Sequence, residues 1–294
     1  MSRDWEAQFA SWAQAPGKTE QDRCENAESS IRNAIKASEA LASRTISVFT
    51  QGSYANRVNV QKDSDVDIGV LCRDTFVPDY PEGKDGTDYG HTDATYYFPD
   101  FRRDLGSALA SYFGANAVAS GNKAFDVHET SYHVEADVAP FFEHRRYLSS
   151  GKYYEGVALW PVSGNGWIYN WPTQHYENGV AKNTETSRRY KSAVRIMKLL
   201  RNEMEEAGHN SSKAVSGFFI ECLVWNTPNW VYSFETWDER MQAVLRHLWQ
   251  QTNDVDKCGE WGEVSELKYL FRPDSQRALA FQFLDSAWDY VGVR

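Results

Sequence analysis

Between residues 51 and 70 the chain carries Gln51-Gly52-Ser53-Tyr54 and then Asp65-Val66-Asp67-Ile68-Gly69-Val70. Ile46, Val48 and Phe49 mark a short strand just before this stretch. A glycine lets the backbone come close to a bulky anion, and the Ser53 hydroxyl can hydrogen-bond a phosphate oxygen. A helix opening at Ser53 would aim its free N–H groups the same way. Residues 65–68 then alternate polar and apolar and run into Gly69, Val70 and Leu71. That is the pattern of a half-buried strand, with Asp65 and Asp67 on one face and Val66 and Ile68 in the core. Two carboxylates side by side on a rigid strand repel each other unless a cation sits between them. Mg²⁺ takes oxygen ligands and keeps room for substrate phosphates. Asp-x-Asp alone is common on solvated strand faces, and Asp63 shares this one. The ordered combination of apolar strand, Gly-Ser, short gap and Asp-x-Asp points to phosphate and metal chemistry.

A two-metal site needs a third carboxylate. The segment His133-Val134-Glu135-Ala136-Asp137-Val138-Ala139 offers one on a second alternating strand. Its polar set faces one way, as a strand laid beside the first requires. Asp137 is preferred because it lies between two apolar neighbours shortly before Pro140, which is expected to end the strand. Glu135 shares the face and is the rival.

With 294 residues the chain is long enough for one large or two intimate domains. Hydrophobic residues make up 41% and aromatics 14%, which supports a packed core. The net charge of −10 argues against a protein that grips a long nucleic acid, since such proteins show a basic face. Cys24, Cys72, Cys222 and Cys258 are scattered, with no Cys-x-x-Cys, so neither a zinc ribbon nor a disulfide framework is expected. No apolar run approaches a membrane span, and the N-terminus does not read as a signal peptide. The expectation is a cytoplasmic protein.

Along the chain, residues 4–15 and 20–44 read as helices broken by Pro16-Gly17. Residues 73–100 read as a long loop, rich in Asp, Gly, Pro and Tyr. Its Tyr80, Tyr89, Tyr96 and Tyr97 either stack on a base or simply cover the loop. Phe101, Leu105, Leu109 and Phe113 mark an amphipathic helix. Two strands, about 115–120 and 124–129, flank a Gly121-Asn122 hairpin turn, and the third-carboxylate strand covers about 131–140. Residues 147–183 hold many aromatics together with Asn165, Asn170 and Asn178. They read either as a nucleotide-pocket wall or as a packed connection.

The helix over about 184–207 places Arg188, Lys191, Arg195 and Lys198 on one face. A solvated basic face would look the same. In a chain of net charge −10, however, this concentration suits a triphosphate, which needs cations beyond its metal ions. Ser211 and Ser212 are expected to open the next helix, through Phe218–Trp225, and Ser211, Ser212 and Ser216 all read as helix-start residues. Helices at about 234–252 and 274–291 complete a helical C-terminal half.

The segments Gly52-Ser53, Asp65-Val66-Asp67 and Glu135-Ala136-Asp137-Val138 resemble the polymerase-β superfamily. More narrowly, the chain is similar to the bacterial cGAS/DncV-like nucleotidyltransferases (CD-NTases) of CBASS anti-phage defence. Further likeness lies in Phe141-Phe142-Glu143-His144-Arg145-Arg146-Tyr147, Asn170-Trp171-Pro172-Thr173-Gln174-His175, Asn178-Gly179, Lys182-Asn183 and Glu266-Leu267-Lys268-Tyr269-Leu270-Phe271. The resemblance implies an α+β fold, with a polymerase-β-like nucleotidyltransferase core of mixed sheet and helices joined to a helical C-terminal half. Residues 1–45 would be bracing helices, 46–147 the catalytic core and 148–294 the domain that completes the nucleotide pocket.

The implied activity is metal-dependent joining of nucleoside triphosphates into a cyclic di- or trinucleotide, with release of pyrophosphate. Two Mg²⁺ ions, with Mn²⁺ as substitute, would be held by Asp65, Asp67 and Asp137. Gly52, Ser53, Lys198 (the counterpart of the family's triphosphate-binding lysine), Lys191, Ser211 (with Ser216 as the alternative) and a pocket asparagine such as Asn170 would contact nucleotide. A monomer is implied, with a downstream effector that senses the product and no nucleic-acid template. Two other readings stay open: transfer of nucleotides to an RNA or protein acceptor, and a catalytically inactive nucleotide-binding scaffold.

Overall fold

The computed structural model describes residues 3–15, 17–60, 66–129 and 134–292. Asp65, Asp63 and His133 lie outside the described residues. In chain order the helices and strands are α1 (Trp5–Trp12), α2 (Lys18–Lys36), β1 (Ile46–Thr50), α3 (Gly52–Ala55), β2 (Val66–Asp79), α4 (Phe98–Phe113), β3 (Val118–Ser120), β4 (Phe125–Glu129), β5 (Val134–Tyr147), β6 (Tyr153–Leu159) and β7 (Ile168–Asn170). Then follow α5 (Pro172–Glu185), α6 (Arg189–Glu206), α7 (Asn210–Lys213), α8 (Gly217–Trp225), α9 (Trp237–Thr252), α10 (Val255–Cys258) and α11 (Ser275–Val291). Among the described residues no helix is long and apolar enough to cross a membrane.

The chain divides into two compact units, each discontinuous in sequence. One holds residues 17–54 and 63–172, and the other residues 1–16, 55–62 and 173–294. Helix α1 falls in the second unit and α2 in the first. The short stretch 55–62 also counts with the helices.

The first unit is built on a mixed sheet of order β1-β2-β5-β4-β3, with β6 and β7 continuing from β5. Strands β2 and β5 run parallel; the other pairs are antiparallel. Val48, Ile68, Val70, Val138 and Val127 are buried in one core with Ile31 and Ala34 of α2 and Phe101, Leu105 and Leu109 of α4. The alternation seen in the sequence thus assigns the apolar face to the helices and leaves Asp67 and Asp137 on the other.

Several boundaries differ from the sequence expectation. Pro140 does not end its strand: β5 runs on to Tyr147. Beside Pro140 the ladder to β4 has ended at Val138 and the ladder to β6 begins at Phe142. A residue without an N–H is tolerated where a flanking ladder is interrupted. Residues 73–79 are strand rather than loop, because β2 stays paired with β5 through a register shift between Cys72 and Phe76. Such a bulge breaks the period of two that would announce the strand.

Three of the four loop tyrosines pack on their own unit. Tyr80 stacks on Tyr89 and Tyr147 at 5.2 and 5.5 Å between ring centres. Tyr96 donates to Asp104 at 2.8 Å. Tyr97 is exposed.

The second unit packs α1, α6, α8, α9 and α11 around a core containing Phe9, Tyr190, Met197, Ile220, Leu245 and Phe283. Helix α5 falls within the stretch expected to be a nucleotide-pocket wall or a packed connection, where no helix was expected. Its buried positions, His175, Gly179 and Lys182, are not apolar, so no hydrophobic 3.6-residue period announces it. Helix α6 starts at Arg189, after Ser187 and Arg188 turn the chain with left-handed φ of 52° and 65°. Ser211 and Ser212 do not open the helix through Phe218. They sit in the separate turn α7, and Ser216 caps α8 by accepting from the Phe219 N–H at 3.1 Å.

Candidate active site

In the first unit, β1 delivers the chain into the tight α3 turn. Gly52 enters it with φ of +65°, a conformation that favours glycine. Tyr54, buried in the sheet core, anchors the turn, and Ser53 is left half-buried. The Gln51 N–H donates to the Asp67 carbonyl at 2.8 Å, which fixes the turn against the start of β2. A β-carbon on residue 52 would lie 2.1 Å from Asp67 Oδ2. The Gly-Ser turn and the second aspartate of Asp-x-Asp are thus in direct contact.

Asp67 and Asp137 are register partners across the parallel β2–β5 pair. Neighbouring strands lie about 4.8 Å apart, and residues in register share a face, so the two half-buried carboxylates stand side by side. Glu135, the rival, is exposed and pairs with Arg23 at 3.5 Å. Beyond the carboxylates the same face turns apolar. Phe49 covers Gly69 so closely that a β-carbon there would meet the ring at 2.4 Å, and it stacks on Phe141. The carboxylates therefore border an apolar floor, which strengthens charge interactions above it.

Asp126, absent from the sequence expectation, stands opposite Asp137 on β4 and extends the row to a third strand. Its signal was the alternation Phe125-Asp126-Val127-His128. Among the described residues no group of three His, Cys, Asp or Glu side chains is placed to hold a metal ion. The described pair is Asp67 with Asp137. Their hard oxygen donors, side by side and mutually repulsive, fit Mg²⁺ or Mn²⁺, and Asp65 precedes β2 by one residue.

Asn170 ends β7, half-buried, opposite Val157. Asn178 is committed elsewhere, since its amide donates to the Val264 carbonyl at 2.9 Å. Asn165 is exposed. Trp171 is buried, with the Arg146 guanidinium 4.2 Å above its ring. His144 stacks on Tyr169 at 4.1 Å, and burial holds it below the usual histidine range.

The helical unit holds the basic residues. The stripe on α6 is not a solvated face: Lys191, Arg195 and Lys198 are 7%, 6% and 2% exposed. The Lys191 ammonium lies 5.5 Å from the Tyr176 ring centre, and burial pushes it below the ordinary lysine range, against the pull of Glu221. Lys198 reaches past Gly217, where a β-carbon would sit 3.1 Å from its Cε. Glu221, one turn further along α8, accepts from or pairs with His175 Nε2 at 2.9 Å. The Ser211 hydroxyl is buried and has no hydrogen-bond partner among the described residues. Arg188 is exposed at the start of α6 and stands apart from the buried three.

Residues 177–292 match the family model described as the cGAS/DncV-like nucleotidyltransferase C-terminal helical domain. The chain is 41% identical to the cyclic dipyrimidine nucleotide synthase CdnE of Cecembia lonarensis, over 92% of each sequence. It is 39% identical to the cyclic dipyrimidine nucleotide synthase CdnE of Legionella pneumophila, over 99% of each. The fold superposes on the Rhodothermus marinus CdnE c-UMP-AMP synthase, solved with Apcpp and Upnpp, with a TM-score of 0.84. That match covers 98% of this chain and 97% of the other at 29% identity.

Proposed function

The chain belongs to the cGAS/DncV-like nucleotidyltransferases, and from that premise we propose that it condenses two nucleoside triphosphates into a cyclic dinucleotide containing a pyrimidine, releasing two pyrophosphates. The observation that carries the chemistry is the register pairing of Asp67 with Asp137 beneath the Gly52–Ser53 turn. The pyrimidine follows the two relatives at 41% and 39% identity, both cyclic dipyrimidine nucleotide synthases.

Asp67 and Asp137, with Asp65, would hold Mg²⁺ or Mn²⁺. When bound, such ions neutralise phosphate charge and acidify a nearby hydroxyl. A ribose hydroxyl of one nucleotide attacks the α-phosphorus of the other. An O–P bond forms, the bond to the leaving pyrophosphate breaks, and Asp137 accepts the hydroxyl proton. Ser53 steadies the donor's terminal phosphates through its hydroxyl. Lys198 and Lys191 would supply positive charge to a triphosphate. Asn170 offers an amide to a base edge. The same transfer, repeated on the linear intermediate, closes the ring. The product would serve as a signal in anti-phage defence, sensed by a separate effector protein.

The test is to incubate the pure protein with the four ribonucleoside triphosphates and Mg²⁺ or Mn²⁺ and to identify products by mass spectrometry. A cyclic dinucleotide containing uracil or cytosine is expected. Products only from purines would overturn the base assignment, and products only with an added RNA or protein acceptor would overturn the reaction.

A further inference from the structure

Arg195 stands between Lys191 and Lys198 on α6, buried as they are. Its guanidinium is nevertheless spent on the protein's own backbone. Nη1 donates to the Arg57 carbonyl at 2.8 Å. Nε and Nη2 donate to the Ala13 carbonyl at 3.2 and 2.5 Å, and Nη2 also reaches Ser192 Oγ at 2.9 Å. Among the described residues it has no carboxylate partner, and burial pushes it down to about 10.

The two carbonyls come from distant parts of the sequence. Ala13 caps α1. Arg57 lies in the stretch that leads from the Gly52–Ser53 turn toward the Asp-x-Asp strand. That stretch is held in the helical unit: Asn56, Val58, Asn59 and Val60 are all buried. Arg57 itself has φ of 55°, in the left-handed region. A residue other than glycine persists there only when its surroundings over-determine it, and such residues cluster near functional sites. The bond from Arg195 is one such constraint, applied to the carbonyl of the strained residue itself.

We propose that Arg195 is a positioning residue for nucleotidyl transfer: it holds the Arg57 carbonyl, and so the stretch 55–60 that follows the Gly52–Ser53 turn, rather than binding phosphate, the role proposed above for Lys191 and Lys198. The proposal rests on the reaction assigned above. It divides the basic face of α6 into two jobs, with the outer lysines serving the nucleotide and the arginine between them serving the backbone.

Arg195→Lys keeps the charge and the helix but cannot bridge two carbonyls with a planar fork. In that variant kcat is expected to fall about tenfold while the nucleotide KM moves less than about threefold. Hydrogen exchange at the amides of residues 55–60 is expected to quicken about tenfold, with α6 as protected as before. Adding Arg57→Gly should recover part of the lost kcat, because glycine holds a left-handed φ without help. No such rescue is expected for Lys198→Ala. A raised KM with intact kcat would make Arg195 a phosphate ligand and overturn the proposal. Unchanged exchange at 55–60 would overturn it whatever the activity. The exchange measurement needs no turnover, so it still judges Arg195 if no nucleotide yields product and the assigned reaction fails.

Discussion

Gly52 lies against the carboxylate of Asp67: a β-carbon on residue 52 would fall 2.1 Å from Oδ2 and 2.8 Å from Cγ. Two separate demands thus converge on one glycine, the left-handed turn and the close approach of a charged side chain. Gly52→Ala is expected to lower kcat about 100-fold or more, because the methyl must displace the carboxylate or unwind the turn. Pyrophosphate release, read beside circular dichroism to confirm folding, checks it. Turnover near that of the wild type would mean that Asp67 needs no fixed position.

The side-by-side placement of Asp67 and Asp137 makes a linked prediction about stability. Asp67→Asn and Asp137→Asn each remove one anionic oxygen donor from the pair. Adding Mg²⁺ should raise the wild-type Tm by mass action on the folded state, and should do so far less in either variant. Product formation should vanish in both. Thermal unfolding with and without Mg²⁺ measures the first part. An equal Mg²⁺ response in all three proteins would remove the metal from this pair.

Lys198 passes Gly217 with little room: a β-carbon there would be 3.1 Å from Cε and 3.3 Å from Nζ. Gly217→Ala must shift the ammonium by a few tenths of an ångström. An increase in nucleotide KM of about threefold is expected, with kcat nearly unchanged. Lys198→Ala should lower kcat/KM by about 100-fold through lost contacts to charged phosphates. Steady-state kinetics decides it, and an unchanged kcat/KM in Lys198→Ala would take the residue out of the site.

A fourth prediction concerns pH. The Lys182 ammonium is buried beside Trp225, Tyr190 and Tyr232 and donates to the Thr227 carbonyl at 2.8 Å. Burial pushes it from 10.5 down to about 8, while Glu185 and Glu266 pull it back up. Between those pH values the unfolded chain holds a proton that the folded chain has released. Stability therefore rises with pH across the window, by at most about 1.4 kcal/mol per pH unit, and the effect is flat below it. Lys182→Met removes the group. Urea unfolding at intervals from pH 8 to 10.5 should show the wild type gaining on the variant. A constant difference would place the ammonium in a better-solvated position.

Strand periodicity was legible from the sequence, and with it the faces. Val66, Ile68, Val138 and Val127 go inward because apolar side chains leave water, and Asp67 and Asp137 are thereby turned outward. The Gly-Ser turn was legible too, since few residues accept its backbone. Strand ends were not. Pro140 looks like a terminator until one knows that its flanking ladder is broken there, and residues 73–79 look like loop until β5 is laid beside them.

The basic stripe on α6 shows the same division most clearly. Spacing alone put Lys191, Arg195 and Lys198 on one face, because 3.6 residues make a turn whatever surrounds the helix. Only the tertiary structure decided that this face is buried, that Gly217 makes room for Lys198, and that Arg195 is occupied by Ala13 and Arg57. It also made Asp137, not Glu135, the partner of Asp67. Periodicity is a local property of the backbone. Register and burial come from segments far apart in the chain, and one sequence read along its length does not display which of them will meet.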